Sequence, residues 1–154
     1  RLVHGQGQLW IKALGVNTVI VADDEAAADP MAQTLMKTVI PNNIAMRFFT
    51  IQKVIDIIHK AAPAQTIFLI VKNPANALRL VEGGVPITEL NVGNIHNADG
   101  KEKVTRSIFV GPEDKAAIIE MADKYGVTFN TKTTPSGADG TVEVDLVAFC
   151  KQSA

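Results

Sequence analysis

The sequence predicts an α/β fold: an open, doubly wound, mainly parallel sheet of about six or seven strands with helices on both faces. Three observations predict it. Apolar, β-branched runs recur at intervals of roughly 20 to 25 residues. These runs are near-continuous in hydrophobicity rather than alternating, as a parallel strand covered on both faces requires. Helical patterns with their own start and stop residues lie between them, and such alternation gives βαβ units with right-handed crossovers.

Taken in order, the expected strands are Thr18 to Ala22, Ile44 to Thr50, Thr66 to Val71, Glu89 to Val92 and Ser107 to Val110, with a sixth at Val127 to Thr131. Ahead of the first, Leu9, Trp10, Ala13 and Leu14 carry helical spacing. Asp29-Pro30 opens a helix that runs to Ile40 and that Pro41 stops, since proline fits the first turn and breaks the interior. Thr50 caps a helix from Ile51 to Ala61. There Ile51, Val54, Ile55 and Ile58 form one apolar stripe while Lys53 and Lys60 look outward. Asn73-Pro74 starts the next helix and Gly83-Gly84 ends it; Pro112 to Lys124 supplies another, closed by Gly126. Thr133 to Thr141 reads as a loop before a short C-terminal element, Val142 to Phe149.

Length and composition bound the function. The 154 residues suit one compact domain, and 47% hydrophobic with 20% charged residues is an ordinary globular composition. Fifteen Lys and Arg against sixteen Asp and Glu leave a net charge of −1, so no global field draws the chain to nucleic acid. Cys150 is the only cysteine and has no internal disulfide partner; no apolar run reaches the roughly 20 residues that span a bilayer. A cytoplasmic setting without membrane insertion is expected. The sequence opens at Arg1 without a basic n-region or apolar h-region, so no signal peptide is read and a strand is expected upstream of it. Charge is uneven along the chain. Between Pro30 and Val81 lie Lys37, Arg47, Lys53, Lys60, Lys72 and Arg79 with Asp56 the single acid, a pattern suited to a face that meets a charged partner.

In open α/β sheets ligand chemistry gathers beyond the carboxyl ends of the strands. That places Asp23 and Asp24, Lys72 and Asn73, and Gly93-Asn94-Ile95-His96 under inspection, joined by Arg1 to Gln8 if a strand precedes it. His4 stands beside Gly5 and Gly7 just before a helical pattern, where unshielded amide N–H groups and the positive dipole end favour an anion. An imidazole there can act as nucleophile and phosphate carrier, because a pKa near ~6.5 leaves a ring nitrogen free at neutral pH. The plainer alternative is a surface histidine in a glycine-rich turn. Neither G-x-G-x-x-G nor G-x-x-x-x-G-K-[ST] is present. Asp23-Asp24 with Lys72 superficially suggests a receiver domain, but the run ending Phe48-Phe49-Thr50 lacks an acceptor carboxylate, so helix capping or bracing of the His4 loop is the expected role. His59 reads as solvated or capping, and His96 as a structural hydrogen-bonding residue that can also approach the site. Three widely spaced histidines and one cysteine offer no zinc spacing, so no metal and no cofactor are expected.

The segment Arg1-Leu-Val-His4-Gly-Gln resembles the active-site loop of the IIB components of the mannose-type sugar phosphotransferase system, with its pattern Asp-Asp/Glu-Arg-hydrophobic-hydrophobic-His-Gly-Gln. The likeness continues through Val21-Ala-Asp-Asp24, Leu35 to Pro41, Gly84-Val-Pro86, Asn91-Val-Gly93 and Thr131 to Pro135, and so spans essentially the whole chain. Gln6-Gly-Gln8-Leu-Trp10, Arg47-Phe-Phe49, the run from Ile51 to Lys60 and Gly93-Asn-Ile-His96 are most similar to the N-acetylgalactosamine-specific branch. The two acidic residues that precede the arginine in the family pattern are not in this sequence.

The resemblance implies a phosphoryl relay. Phosphohistidine of a IIA component would pass its group to His4 Nδ1, and phospho-His4 would phosphorylate a sugar held by membrane IIC and IID components. Arg1 would neutralise the transferring phosphoryl oxygens or pair with an acidic group on IIA, Gly5 and Gln6 would bind those oxygens, and Asp24, Lys72 and Asn94 would support. The alternative of a different class is a flavodoxin-like module that binds a nucleotide or small anion without covalent chemistry.

Overall fold

The computed structural model describes residues 7–136 and 142–153. Two compact units emerge, one of residues 7–72 with 82–85 and the other of 73–81 with 86–136 and 142–153.

In the first unit, β1 (Thr18–Ala22) lies between β2 (Ala45–Phe49) and β3 (Ile67–Val71), all parallel, with Ile20 opposite both Arg47 and Leu69. Having a neighbour on each edge, β1 is buried along its whole length, whereas β2 and β3 are mostly half-buried. Alternate residues define two faces. Val19, Val21, Met46, Phe48, Phe68 and Ile70 form one core with Ile11 of α1 (Gly7–Leu14) and Met36 of α3 (Pro30–Lys37). Each buried Val or Ile in it contributes about 1.5 to 3 kcal/mol of transfer free energy. On the other face lies α4 (Ile51–Ile57), which buries Ile51 and Val54 and tightens into a 3-10 turn, Ile58–Lys60. Gly83 passes so close to Ile55 that a Cβ there would sit 2.6 Å from its Cδ1, hence the glycine.

The second unit is built from shorter strands. β4 (Glu89–Asn91) pairs in parallel with β7 (Thr128–Asn130), and β5 (Glu102–Thr105) pairs antiparallel with β6 (Ile108–Val110). Its core joins Val92, Ile95, Ile108, Val110, Ile118 of α6 (Pro112–Tyr125), and Leu146 and Cys150 of α7 (Leu146–Gln152). Helix α6 ends as expected at Gly126, whose φ of 69° is the left-handed conformation that lets its N–H bond the Ala122 carbonyl.

Expected strand positions are met to within one or two residues, and the caps at Asp29 and Thr50 each accept the expected backbone N–H. Three readings need correction. Among the described residues the strands form three separate sheets, so a single six- or seven-stranded sheet is not seen. The Ser107 to Val110 run pairs antiparallel to an unexpected strand, because two linking residues, Arg106 and Ser107, permit a hairpin and never a parallel crossover. No helix separates β4 from β6, so alternation fails there. The C-terminal element is a helix begun by Asp145, whose Oδ1 accepts the Ala148 N–H at 3.0 Å. Asp24–Ala27 adds a short helix, α2, that the apolar pattern did not signal.

Candidate functional site

Parallel pairing carries the ends of β1, β2 and β3 to one edge of the first unit. Beyond Ala22, the Asp23 N–H donates to the Phe49 carbonyl at 3.0 Å while its buried carboxylate accepts the Ala26 N–H at 3.0 Å, starting α2. Asp24 reaches across 27 positions of sequence to accept the Ile51 N–H at 2.9 Å. One aspartate therefore caps its own helix and the next helps start α4 with Thr50, locking the β1 and β2 loops together. Both carboxylates are committed to backbone amides, which suits the capping role and not a metal pair. Among the described residues no group of three or more His, Cys, Asp or Glu side chains is placed to hold a metal ion.

Lys72 closes β3 and stands with its Nζ 3.6 Å from Glu25 Oε2, both side chains well exposed at 50% and 85%. Such a pair is worth less than about 1 kcal/mol, so Lys72 keeps a cation at this edge that a stronger anion can recruit. Asp24 and Lys72 thus share the carboxyl edge of one sheet.

In the second unit, Asn73 starts α5 (Pro74–Glu82), its Oδ1 accepting the Asn76 N–H at 2.8 Å. The loop after β4 is anchored from both sides. Asn91 donates to Asn130 Oδ1 at 2.6 Å and to the Lys132 carbonyl at 2.7 Å, and Ser107 Oγ donates to the Gly93 carbonyl at 3.0 Å. Asn94 and His96 flank buried Ile95 and are themselves exposed, so alternation along an extended segment points both outward. His96 is therefore a solvent-facing ring. His59 is likewise exposed. Thr131, only 1% exposed, accepts the Val144 N–H and ties the C-terminal segment to β7, a role no motif announced.

His4, Arg1, Gly5 and Gln6 lie outside the described residues. Helix α1 begins at Gly7, three residues past His4, where the sequence places it.

Helices entered from the carboxyl ends of parallel strands, with capped loops and an available cation there, define an α/β protein of the class that works on ligands at that edge. The family model of the phosphotransferase system sorbose-subfamily IIB component matches residues 1–153. The N-acetylgalactosamine-specific phosphotransferase enzyme IIB component 2 of Escherichia coli (strain K12) is 49% identical over 122 residues, 79% of this chain and 78% of that protein. The crystal structure of a phosphotransferase-system-dependent N-acetyl-galactosamine-IIB component from Streptococcus pyogenes superposes with a TM-score of 0.92 at 58% identity, covering 97% of this chain and 91% of that one. The mannose-specific EIIAB component of E. coli (strain K12) is 36% identical over 123 residues, 79% of this chain but 38% of that longer protein. The chain belongs to the sorbose-subfamily IIB components of the sugar phosphotransferase system, and it is a phosphotransferase.

Proposed function

We propose that this chain accepts a phosphoryl group from phosphohistidine of a IIA component onto His4 Nδ1. It then delivers the group to N-acetylgalactosamine, or a related amino sugar or hexose, held by membrane IIC and IID components. The observation that supports this most is the likeness to N-acetylgalactosamine IIB components, 49% and 58% identical, together with the Arg1-Leu-Val-His4-Gly-Gln segment immediately before α1. The mannose relative is named for IIA and IIB together, which supports IIA as the donor. The whole chain is taken as one IIB domain, consistent with a family match over 1–153.

The chemistry follows from the residue types. A neutral imidazole Nδ1 attacks phosphorus; the new N–P bond forms as the donor histidine's N–P bond breaks, and no cofactor or metal is called for. Because the bond exchange is nearly symmetric, the protein's task is positioning and charge stabilisation. Arg1 neutralises the phosphoryl oxygens, the Gly5 and Gln6 amides and the first turn of α1 donate to them, and Lys72 adds charge. Asp24 supports by holding the β1 and β2 loops together, and Asn94 supplies an exposed amide. The chain works at the cytoplasmic face of the membrane, recruited by IIC and IID. No helix among the described residues is long and apolar enough to cross a bilayer.

Labelling tests the reading. Radioactive phosphate passed from phosphorylated IIA should appear stoichiometrically, acid-labile and base-stable, and vanish in His4→Ala while persisting in His59→Ala and His96→Ala. Substantial label on the His4→Ala protein overturns it, and reversible anion binding without any label favours a non-covalent binding module instead.

A further inference from the structure

A cavity of about 360 Å³ opens in the first unit, on the α4 face of the three-stranded sheet and toward its amino end. Thr18, Ala45 and Ile67, the first residues of β1, β2 and β3, border it at the amino end, and along β2 it continues past Arg47 to Phe49, the last residue of that strand. Its origin is local. The small Ala45 side chain leaves room on the sheet, and α4 tightens into the 3-10 turn before it can cover that end.

The walls are apolar: Ile20, Val54, Ile57 and Ile67 line them, and Ile57 and Ile67 remain partly exposed to water. The polar side chains inside are already engaged. Thr18 Oγ1 donates to Asn17 Oδ1 at 3.0 Å, and Gln65 Oε1 accepts the Ala62 N–H at 2.8 Å. Two cations, Arg47 and Lys60, complete the lining with no carboxylate among them. Arg47 spends one N–H on its neighbour's carbonyl, Met46 O at 3.0 Å, which leaves most of its guanidinium donors outward. Neither cation forms a salt bridge among the described residues.

We propose that this cavity is a second ligand site, for a small amphipathic anion that places a carboxylate or sulfonate between Arg47 and Lys60 and a compact apolar body against Ile20, Val54 and Ile57. Its volume is at the lower end of that of small-molecule pockets, roughly 300 to 1,000 Å³. A sugar does not fit its chemistry, because the engaged Thr18 and Gln65 leave hydroxyls unpaired against apolar walls, and each such loss costs about 1 to 3 kcal/mol. A bare inorganic anion leaves the apolar walls unused. The site is thus distinct in ligand from the phosphoryl edge.

The dye 1-anilinonaphthalene-8-sulfonate, a sulfonate on an apolar body, serves as the probe. Titration of the full chain should give a saturable one-to-one fluorescence rise, with amide NMR shifts centred on Ile20, Ala45 and Ile57 to Lys60. Charge reversal in the double variant R47E/K60E, at exposed positions that leave the fold intact, should weaken binding at least tenfold. Ala45→Leu, which fills the cavity, should weaken it as much without altering charge. The proposal is overturned by three results: no saturable binding, shifts centred elsewhere, or affinity unchanged in R47E/K60E. Should Ala45→Leu unfold, the charge variant alone decides.

Discussion

The two units reach comparable burial by different routes. In the first, a five-residue strand with no exposed side chain is held between two parallel neighbours, and helices pack on both faces. In the second, β4, β6 and β7 are three residues long, and the core depends on α6 and α7 as much as on strands. A strand buried on both faces admits a polar residue only where that residue finds a hydrogen-bond partner, as Thr18 does at the start of β1 with Asn17; a strand of three residues stands or falls with the helix that covers it. Similar cores thus differ in which element carries the specificity.

The largest effect should come from a charge placed in β1. Val19 is 0% exposed, and Val19→Asp buries a carboxylate with no partner, costing more than about 4 kcal/mol and leaving little folded protein by circular dichroism. Soluble, cooperatively folded V19D would show that β1 is not the centre of its unit.

Next is Ile118→Ala in α6, fully buried in the second core, with an expected loss of about 2 to 5 kcal/mol in denaturant unfolding. Hydrogen exchange sharpens the contrast: amides of β4, β6 and β7 should lose protection while those of β1 keep theirs. Equal loss in both regions would mean that the units unfold as one.

Cys150 supplies a smaller, pH-dependent effect in the second unit. Burial pushes its thiol up to about 11 from the ordinary 9.0. The folded state therefore favours the neutral thiol, a contribution fully present below pH 9 and lost as pH rises through 11. Stability should fall by up to about 1.4 kcal/mol per pH unit across that window, and Cys150→Ala should flatten the difference. Rapid alkylation of the native thiol at pH 8 would contradict this.

The smallest change concerns the carboxyl edge of the first unit. Asp23→Ala removes the cap of α2 and should cost about 1 to 2 kcal/mol in thermal unfolding, measured alongside phosphoryl transfer. Stability unchanged, with transfer abolished, would make Asp23 a direct participant in the chemistry and not a cap.

Much of this architecture was legible because strong local signals agree with the tertiary outcome. Thr18 to Ala22 reads as a buried strand since five consecutive apolar or β-branched residues suit no exposed element, and Asp29-Pro30, Thr50 and Gly126 mark helix ends by backbone chemistry that operates in any context. The candidate histidine was legible from motif and helix start, and the capping alternative for Asp23 and Asp24 is what the carboxylates do.

What the sequence by itself determined, then, is the class of fold, the order of most elements, the helix caps and the family. Tertiary structure alone decided the rest. Glu102 to Thr105 carries two charges in four residues and becomes a strand only because β6, folded back through a two-residue turn, offers its ladder, the contact energy coming from the partner strand and not from the segment's own apolar pattern. Asp24 finds its amide partner 27 residues away, and Thr131 finds Val144 after 13. Arg47 and Lys60, thirteen positions apart on a strand and a turn, come to share one cavity wall. Such pairings depend on how hairpins, crossovers and loops return the chain upon itself, a distance in space that spacing along the sequence does not encode.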